Sequence, residues 1–554
     1  MSTGRLRPIA PISSQDFARY IRACLPNTAC DTIVVANSGG PDSTCLLFLL
    51  DRYVKEHERV QPRRVVSWSV DHNLQPDSAG WIAHTSKFAA SLGIKHLSSK
   101  IEWGASGFPA KPESGGKLEL AARNARYALL YKALGDAKAG IAAFGHHADD
   151  QVETAILRAL KGSSELGLAG MKPFRRFGMG VGFGGMRKWI VRPLLEVSKD
   201  RILATCDEHK LDYVVDSTNF QPELTLRNAI RKAVEDRDVA HITRFDSSLT
   251  VDTIEERIRA LSLSLDVRQA DDALHHCTLP SPDGAVVLSA ARLRTVTDPL
   301  VQLSLVTRVL RYASPHPWGS LKAEANRQQR SLHQIRDKIF GLSAERPARF
   351  SAGADVLWTP ALATRKGIKL PGLPQLANAE ITGRDAQEVW VASRAPPIRR
   401  PGAQPSEESA IRMNITSHLR DPHSEVDILF DNRFLVSIRG GTNERRRLAA
   451  LVKNRYGGQA TTGSTDAAPS EGDTVWIMAR GRYHQPFIFA MGPGVFTPQW
   501  PGCTVDPRVP GAMVFRTYID PPEEEGIVPP RPLNRTTSAQ GGRQWVRMRW
   551  IRPL

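Results

Sequence analysis

Six cysteines are scattered through the 554 residues, at Cys24, Cys30, Cys45, Cys206, Cys277 and Cys503, and no two form a Cys-X-X-Cys pair. That spacing excludes a thiol relay and a zinc-finger module. A disulfide framework is not expected in a chain this long, and a reduced compartment suits it better. Long apolar runs are missing too. None approaches the ~20 residues of a membrane helix, so no membrane insertion is expected. The N-terminus has no apolar secretory core. Arg5 and Arg7 precede the first acid, Asp16, faintly like an organelle transit segment, but Pro8 and Pro11 interrupt any amphipathic helix.

Acidic residues are outnumbered, 57 against 74 Lys and Arg, which gives a net charge of +17 and a pI near 9.8. Such a balance suits a polyanionic partner such as nucleic acid. A merely solubilising surface is the alternative.

The length implies several domains. Strand-like and helix-like segments alternate over 32–232, with strands expected at 32–36, 64–70, 94–101, 140–144 and 213–215. Helices are expected at 43–54, 80–92 and 118–134. That order predicts an α/β fold: a doubly wound parallel sheet with ligands at the carboxyl ends of its strands. Residues 1–30 read as an extension and 31–232 as the catalytic domain. A helical region at 233–350 follows, with helices at 253–265 and 298–312. Then come an irregular region and linker at 351–410 and a β-rich region with a basic tail at 411–554.

The most informative segment is Asn37-Ser38-Gly39-Gly40-Pro41-Asp42-Ser43-Thr44, after the apolar run Thr32–Ala36. Strand, glycine turn and helix start make a nest of backbone N–H groups for phosphate oxygens. Gly39 and Gly40 permit the close approach. Pro41 suits a first helical turn, and Ser38 and Ser43 add hydroxyls. The Gly-Lys-Ser/Thr ending of a Walker loop is absent, so this turn has no lysine of its own for the β- and γ-phosphates.

Four further motifs carry chemistry. Asp71-His72-Asn73 follows the second strand. Glu119, Arg123 and Arg126 share one face of a helix. In Gly145-His146-His147-Ala148-Asp149-Asp150-Gln151-Val152-Glu153-Thr154, the residues His146, Asp150 and Glu153 recur at helical spacing. That face suits a metal–phosphate site or proton transfer. Asp216-Ser217-Thr218-Asn219 and Arg227-Asn228-Ala229-Ile230-Arg231 end the series.

These motifs, in this order, resemble tRNA(Ile)-lysidine synthetase, of the PP-loop ATP pyrophosphatase group, over roughly residues 30–232. Ser314–Ser320 and Phe430–Phe434 resemble fungal mitochondrial members, which implies a mitochondrial location, or otherwise a cytoplasmic one. The resemblance implies a ligase. ATP adenylates the C2 oxygen of the wobble cytidine in the CAU anticodon of tRNA(Ile), and free L-lysine then attacks C2, releasing AMP. It implies Ser38, Gly39, Gly40, Pro41, Asp42 and Ser43 on ATP, and Mg²⁺ between Asp42 and Glu153. Asp42, His146, Asp150 and Glu153 are the implied catalytic groups; Arg123, Arg126, Arg227 and Arg231 would contact phosphate or tRNA. A homodimer is compatible with the sequence.

Beyond Ile527 no acid occurs, and six arginines accompany Trp545 and Trp550. In the piece at 546–551, Val546, Met548 and Trp550 alternate with Arg547 and Arg549, as in a strand that either touches RNA or protects a sheet edge. Competing readings are a PP-loop 2-thiolase, disfavoured by the missing cysteine pairs, a non-catalytic tRNA-binding protein, and a small-molecule amidating ligase.

Overall fold

The computed structural model describes, with short breaks, residues 9–215, 226–236, 267–317, 329–369 and 386–396. Beyond these it describes parts of 253–258, residues 411–441 and the strands between 474 and 550. The chain divides into two compact units, Met1–Leu265 and Asp266–Leu554.

The N-terminal unit is built on strands β1 (Thr32–Ala36), β2 (Arg64–Asp71), β3 (Lys95–Lys100), β4 (Ile141–Ala143), β5 (Phe174–Arg176) and β6 (Trp189–Val191), ordered β3-β2-β1-β4-β6-β5. All neighbours are parallel except β5, which lies antiparallel on β6 at the edge. The helices are α1 (Ser14–Cys24), α2 (Pro41–Glu56), α3 (Ser78–Ser91), α4 (Gly116–Asp136), α5 (Ala148–Leu160), α6 (Glu165–Leu168), α7 (Lys199–Glu208) and α8 (Leu226–Glu235).

Strand β1 has apolar side chains on both faces, as a central parallel strand must. Ile33 and Val35 join one core with α1, α2 and α7, while Val34 joins another with α4. Because β1 is followed by β2 on one side and lies against β4 on the other, the crevice at their carboxyl ends is the switch point where doubly wound sheets take ligands.

The expected strand at 213–215 is not one. The fifth parallel strand is β6, and Val214 instead donates its N–H to the Gly39 carbonyl at 2.9 Å, a single bond to a turn rather than a ladder. Nor is α1 a loose extension. Phe17, Ile21 and Cys24 are buried against α2, because its apolar residues recur at helical spacing. The helix expected at 253–265 falls largely outside the described residues, as does Asp216–Asn219.

The C-terminal unit is antiparallel where the chain was expected to be helical or irregular. Thr278–Leu279 and Ala285–Ser289 fall in the region read as helical. Val356–Thr364 and Gln387–Arg394 fall in the region read as irregular, and all four belong to one sheet. Pro360 hides the first of that second pair from sequence reading, and the apolar run 389–392 is too short for periodicity to type. The helix at Pro299–Ala313 and the strands Val426–Phe430 and Phe434–Ile438 stand where expected. Val546–Trp550 is not an edge strand: it lies between Phe434–Ile438 and Tyr518–Asp520, and Met548 is fully buried.

Two of the segments singled out in the sequence, at 314–317 and 430–434, meet in this unit. Asp431 and Asn432 both adopt left-handed backbone in the hairpin turn, where Asp and Asn are tolerated best. Asn432 Nδ2 donates to the Pro315 carbonyl at 2.8 Å.

Candidate active site

The turn after β1 is organised by Asn37, a buried residue that the motif reading passed over. Its Oδ1 accepts from the Gly39 N–H and from the Ser43 hydroxyl, both at 3.0 Å, and its Nδ2 donates to Ser67 Oγ at 3.3 Å. Ser43 Oγ in turn accepts from the Ser38 N–H at 3.1 Å. Gly39 has φ +84°, and a Cβ there would meet Thr85 Oγ1 at 2.8 Å, so a residue without a side chain is required. Helix α2 starts at Pro41, which places the N-terminal backbone amides of a sixteen-residue helix beside the turn. Ser38, Gly39, Gly40, Pro41 and Ser43 are therefore brought together as the sequence implies.

Asp42, in the first turn of α2, faces a lysine and a histidine. Lys199, the first residue of α7, is hydrogen-bonded to its Oδ1. His147 Nε2 lies 3.8 Å from its Oδ2. The lysine that the turn lacks in sequence thus arrives from 157 positions away. Nothing local marks Lys199 for this role; its place at a helix start after Ser198 is the one available hint.

On the opposite wall, β4 ends in Gly145 and the chain turns into α5. A Cβ on Gly145 would lie 2.9 Å from the Asp42 carbonyl carbon and oxygen, so the two loops touch backbone to backbone. His146 precedes α5 and does not share a helical face with Asp150 and Glu153, because the helix begins only at Ala148. It stacks on Phe144 instead, with centroids 5.5 Å apart. Its Nδ1 accepts from Arg192 Nε at 3.1 Å, which leaves the ring proton on Nε2.

His147 is the residue that joins the acids. Asp150 accepts the His147 backbone N–H at 3.0 Å, the returning half of a capping box. Its carboxylate also lies 3.6 Å from Nε2. Burial opposes the imidazolium, but its hydrogen bond to Asp149, which accepts, and the charges of Asp150 and Asp42 outweigh it and raise the His147 pKa above the usual histidine value.

Glu153 is 2% exposed. Its Oε1 and Oε2 accept from Arg231 Nε and Nη2 at 2.8 and 3.4 Å. Of the two carboxylates expected to share Mg²⁺, Asp42 faces Lys199 and Glu153 faces Arg231. Among the described residues no three His, Cys, Asp or Glu converge as a ready metal cluster. Mg²⁺ typically takes one or two carboxylates and completes its shell with substrate phosphates. Asp42, a hard oxygen donor at the mouth of a phosphate nest, fits that use.

A second group surrounds Tyr127 on α4. The guanidinium carbons of Arg123, Arg126 and Arg175 lie 5.3, 5.9 and 5.9 Å from its ring centroid. Arg175 also donates to its hydroxyl at 3.4 Å. Burial raises the phenol pKa, but the charges of Arg175, Arg123, Arg126 and Arg192 outweigh it and bring it down. Arg192, buried beside this group, is itself lowered to about 10, by burial first and then by Arg175. Such a concentration of positive charge at the carboxyl ends of the strands suits anionic oxygens. Arg123 and Arg126 were legible from sequence; Arg175 and Arg192 were not. His72 lies close enough to Arg126 to feel its charge. It is lowered to about 4, first by burial and then by Arg126. The Arg227 side chain lies outside the described residues, although its backbone belongs to α8.

Comparison with known proteins agrees with this geometry. A PP-loop domain model matches residues 13–238. The tRNA(Ile)-lysidine synthase of Alkalilimnicola ehrlichii is 37% identical over 214 residues, which are 39% of this chain and 43% of that protein. The one from a Bradyrhizobium species is 35% identical over 226 residues, 41% and 57% of the two chains. The one from a Methylobacterium species is 30% identical over 336 residues, 59% of this chain and 85% of that protein. The chain thus spans about half the length of the first two relatives and most of the third. With a phosphate nest at the switch point of a parallel sheet, and a likeness that runs almost the whole length of one relative, the chain belongs to the tRNA(Ile)-lysidine synthase family.

Proposed function

We propose that the protein uses ATP to join L-lysine to C2 of the wobble cytidine in the CAU anticodon of tRNA(Ile). The observation that carries this reading is the turn at Ser38–Ser43, closed by Asn37 and faced by Asp42, Lys199 and His147. A nest without its own lysine suits cleavage between the α- and β-phosphates. The cytosine O2 attacks the α-phosphorus and pyrophosphate leaves. The lysine ε-amine, once it has lost its proton, attacks C2, and AMP departs with the oxygen.

Each group of residues has a task in that sequence. The turn N–H groups and the Ser38 and Ser43 hydroxyls hold phosphate oxygens. Asp42 would hold Mg²⁺, and that ion, when bound, offsets charge on the phosphates. Lys199, beside Asp42 at the mouth of the turn, would face the leaving pyrophosphate. His147, whose protonated form the neighbouring carboxylates favour, lies behind Asp42. His146, fixed by Arg192 and Phe144, presents Nε2–H toward the reacting base. The arginines around Tyr127 would take the RNA backbone or the polyphosphate. An unpaired anticodon base reaches such a crevice at modest cost, because no duplex has to open.

The deciding experiment supplies ATP, radiolabelled lysine and tRNA(Ile) bearing CAU. Label should enter the RNA only with ATP present, and a variant anticodon should take up none. Failure to incorporate lysine while the same preparation transfers sulfur or merely retains tRNA would reject the proposal. The mitochondrial setting belongs to the same proposal and rests on the fungal resemblance of two C-terminal motifs; cell fractionation tests it.

A further inference from the structure

From Leu166 to Leu195 the chain contains no acid, while Lys172, Arg175, Arg176, Arg187, Lys188 and Arg192 accumulate beside Phe174, Phe177, Phe183 and Trp189. The segment forms the β5–β6 ribbon at one edge of the parallel sheet. The ribbon sorts its charges by face. Arg175 turns inward to Tyr127. Phe174 and Arg176, two residues apart on β5, lie on the other face.

There they make a continuous ridge with Trp189. The Phe174 and Trp189 ring centroids are 5.9 Å apart, and the Arg176 guanidinium carbon sits 3.9 Å over the Trp189 ring. Phe174 is 39% exposed, one of the few large apolar side chains open to solvent. The exposed Lys172 flanks it. The ridge also leads to the site. Phe174 pairs with Val191, whose neighbour Arg192 donates its N–H to the Pro173 carbonyl and its Nε to His146.

Aromatic rings interleaved with guanidinium groups on an acid-free strip are what unpaired nucleotides bind. Bases stack on the rings whatever their identity, and the cations follow the phosphates. We infer that the Phe174–Trp189–Arg176 ridge is a stacking platform for unpaired nucleotides of the RNA as they lead toward the turn at Ser38. The inference rests on the proposed function for the identity of the RNA but has its own readout. The competing role, arginines that guard a sheet edge against pairing, needs neither stacking nor RNA.

The test uses the full chain and two labelled RNAs: an anticodon stem–loop bearing CAU and a fully paired hairpin of equal length. Binding is read by fluorescence anisotropy at one fixed salt concentration. The double variant Phe174→Ala, Arg176→Gln should weaken stem–loop binding by about tenfold to a hundredfold, the loss of about one stacked base. It should change hairpin binding and the KM for ATP little. Phe174→Trp should keep wild-type affinity and shows that the position tolerates change. Lys95→Gln, on the opposite edge strand β3, controls for one lost charge. A stem–loop loss no greater than that of Lys95→Gln, or an equal loss on the hairpin, overturns the platform. If the double variant shows the stem–loop loss but the wild-type protein transfers no lysine, the proposed function fails and the platform stands. If it transfers lysine and the double variant has the wild-type KM for RNA, the platform fails and the function stands.

Discussion

The two units bury charge in opposite ways. In the C-terminal unit Arg433 is 1% exposed and satisfied from within. Its Nη1 donates to the Gly284 carbonyl at 3.1 Å, its Nε and Nη2 lie 2.8 Å from Asp431, and Arg394 approaches the same carboxylate at 3.0 Å. That network closes a hairpin and joins strands far apart in sequence. In the N-terminal unit the charges cluster around a turn shaped for something else. Asp42 shares its oxygens between Lys199 and His147, and the arginines gather around a tyrosine. Closed pairing stabilises one structure. The half-buried Lys199–Asp42 pair beside an open turn is the kind of pairing that a ligand can exchange.

Four measurements would break or sharpen this contrast. The largest effect is expected in the closed network. Arg433→Ala leaves buried Asp431 without its main partner and should cost about 3–5 kcal/mol. Hydrogen exchange resolved by peptide should confine the loss to the C-terminal unit while pyrophosphate release by the N-terminal unit is kept. Loss spread over both units would show that the contrast is false.

Asp42→Ala should do the reverse. Pyrophosphate release should fall by about a hundredfold to a thousandfold, with RNA affinity and exchange protection nearly unchanged. Equal loss of RNA binding would make Asp42 structural.

The third concerns His72, whose folded pKa of about 4 lies below its unfolded value near 6.5. A histidine shifted down stabilises the fold fully above the unfolded pKa and loses that contribution as pH falls through the folded one. The N-terminal unit should therefore lose ~2 kcal/mol between pH 6.5 and 4.5 on this account. His72→Gln should flatten that slope; an unaltered slope would place the acid sensitivity elsewhere.

The smallest is Gly145→Ala. Its Cβ would press on the backbone of Asp42, and kcat/KM for ATP should drop about tenfold through a displaced turn, with little change in thermal stability. An unchanged ATP dependence would mean that the two loops move independently.

Much of the N-terminal unit was legible because its signals are local. Thr32–Ala36 is a strand with the expected ends, and the glycines, proline and serines of the following turn do what their short-range chemistry predicts. The misreadings have local causes too. Helical spacing was extended to His146, two residues before the helix begins at Ala148, because a helix start is invisible in periodicity alone. Tyr213 and its neighbours read as a strand by composition, but β6 already holds the place beside β4.

The sequence by itself determined the class of the N-terminal fold and the glycine turn at its first strand, because those depend on contacts within a few residues. Only the tertiary structure decided who partners whom. Lys199 reaches Asp42, Arg192 orients His146, Arg231 claims Glu153, and Arg175 completes the cluster at Tyr127, across separations of 46 to 157 positions. Such pairings follow from strand order and helix packing, and a linear pattern carries no record of which side chains the fold will bring into hydrogen-bond distance.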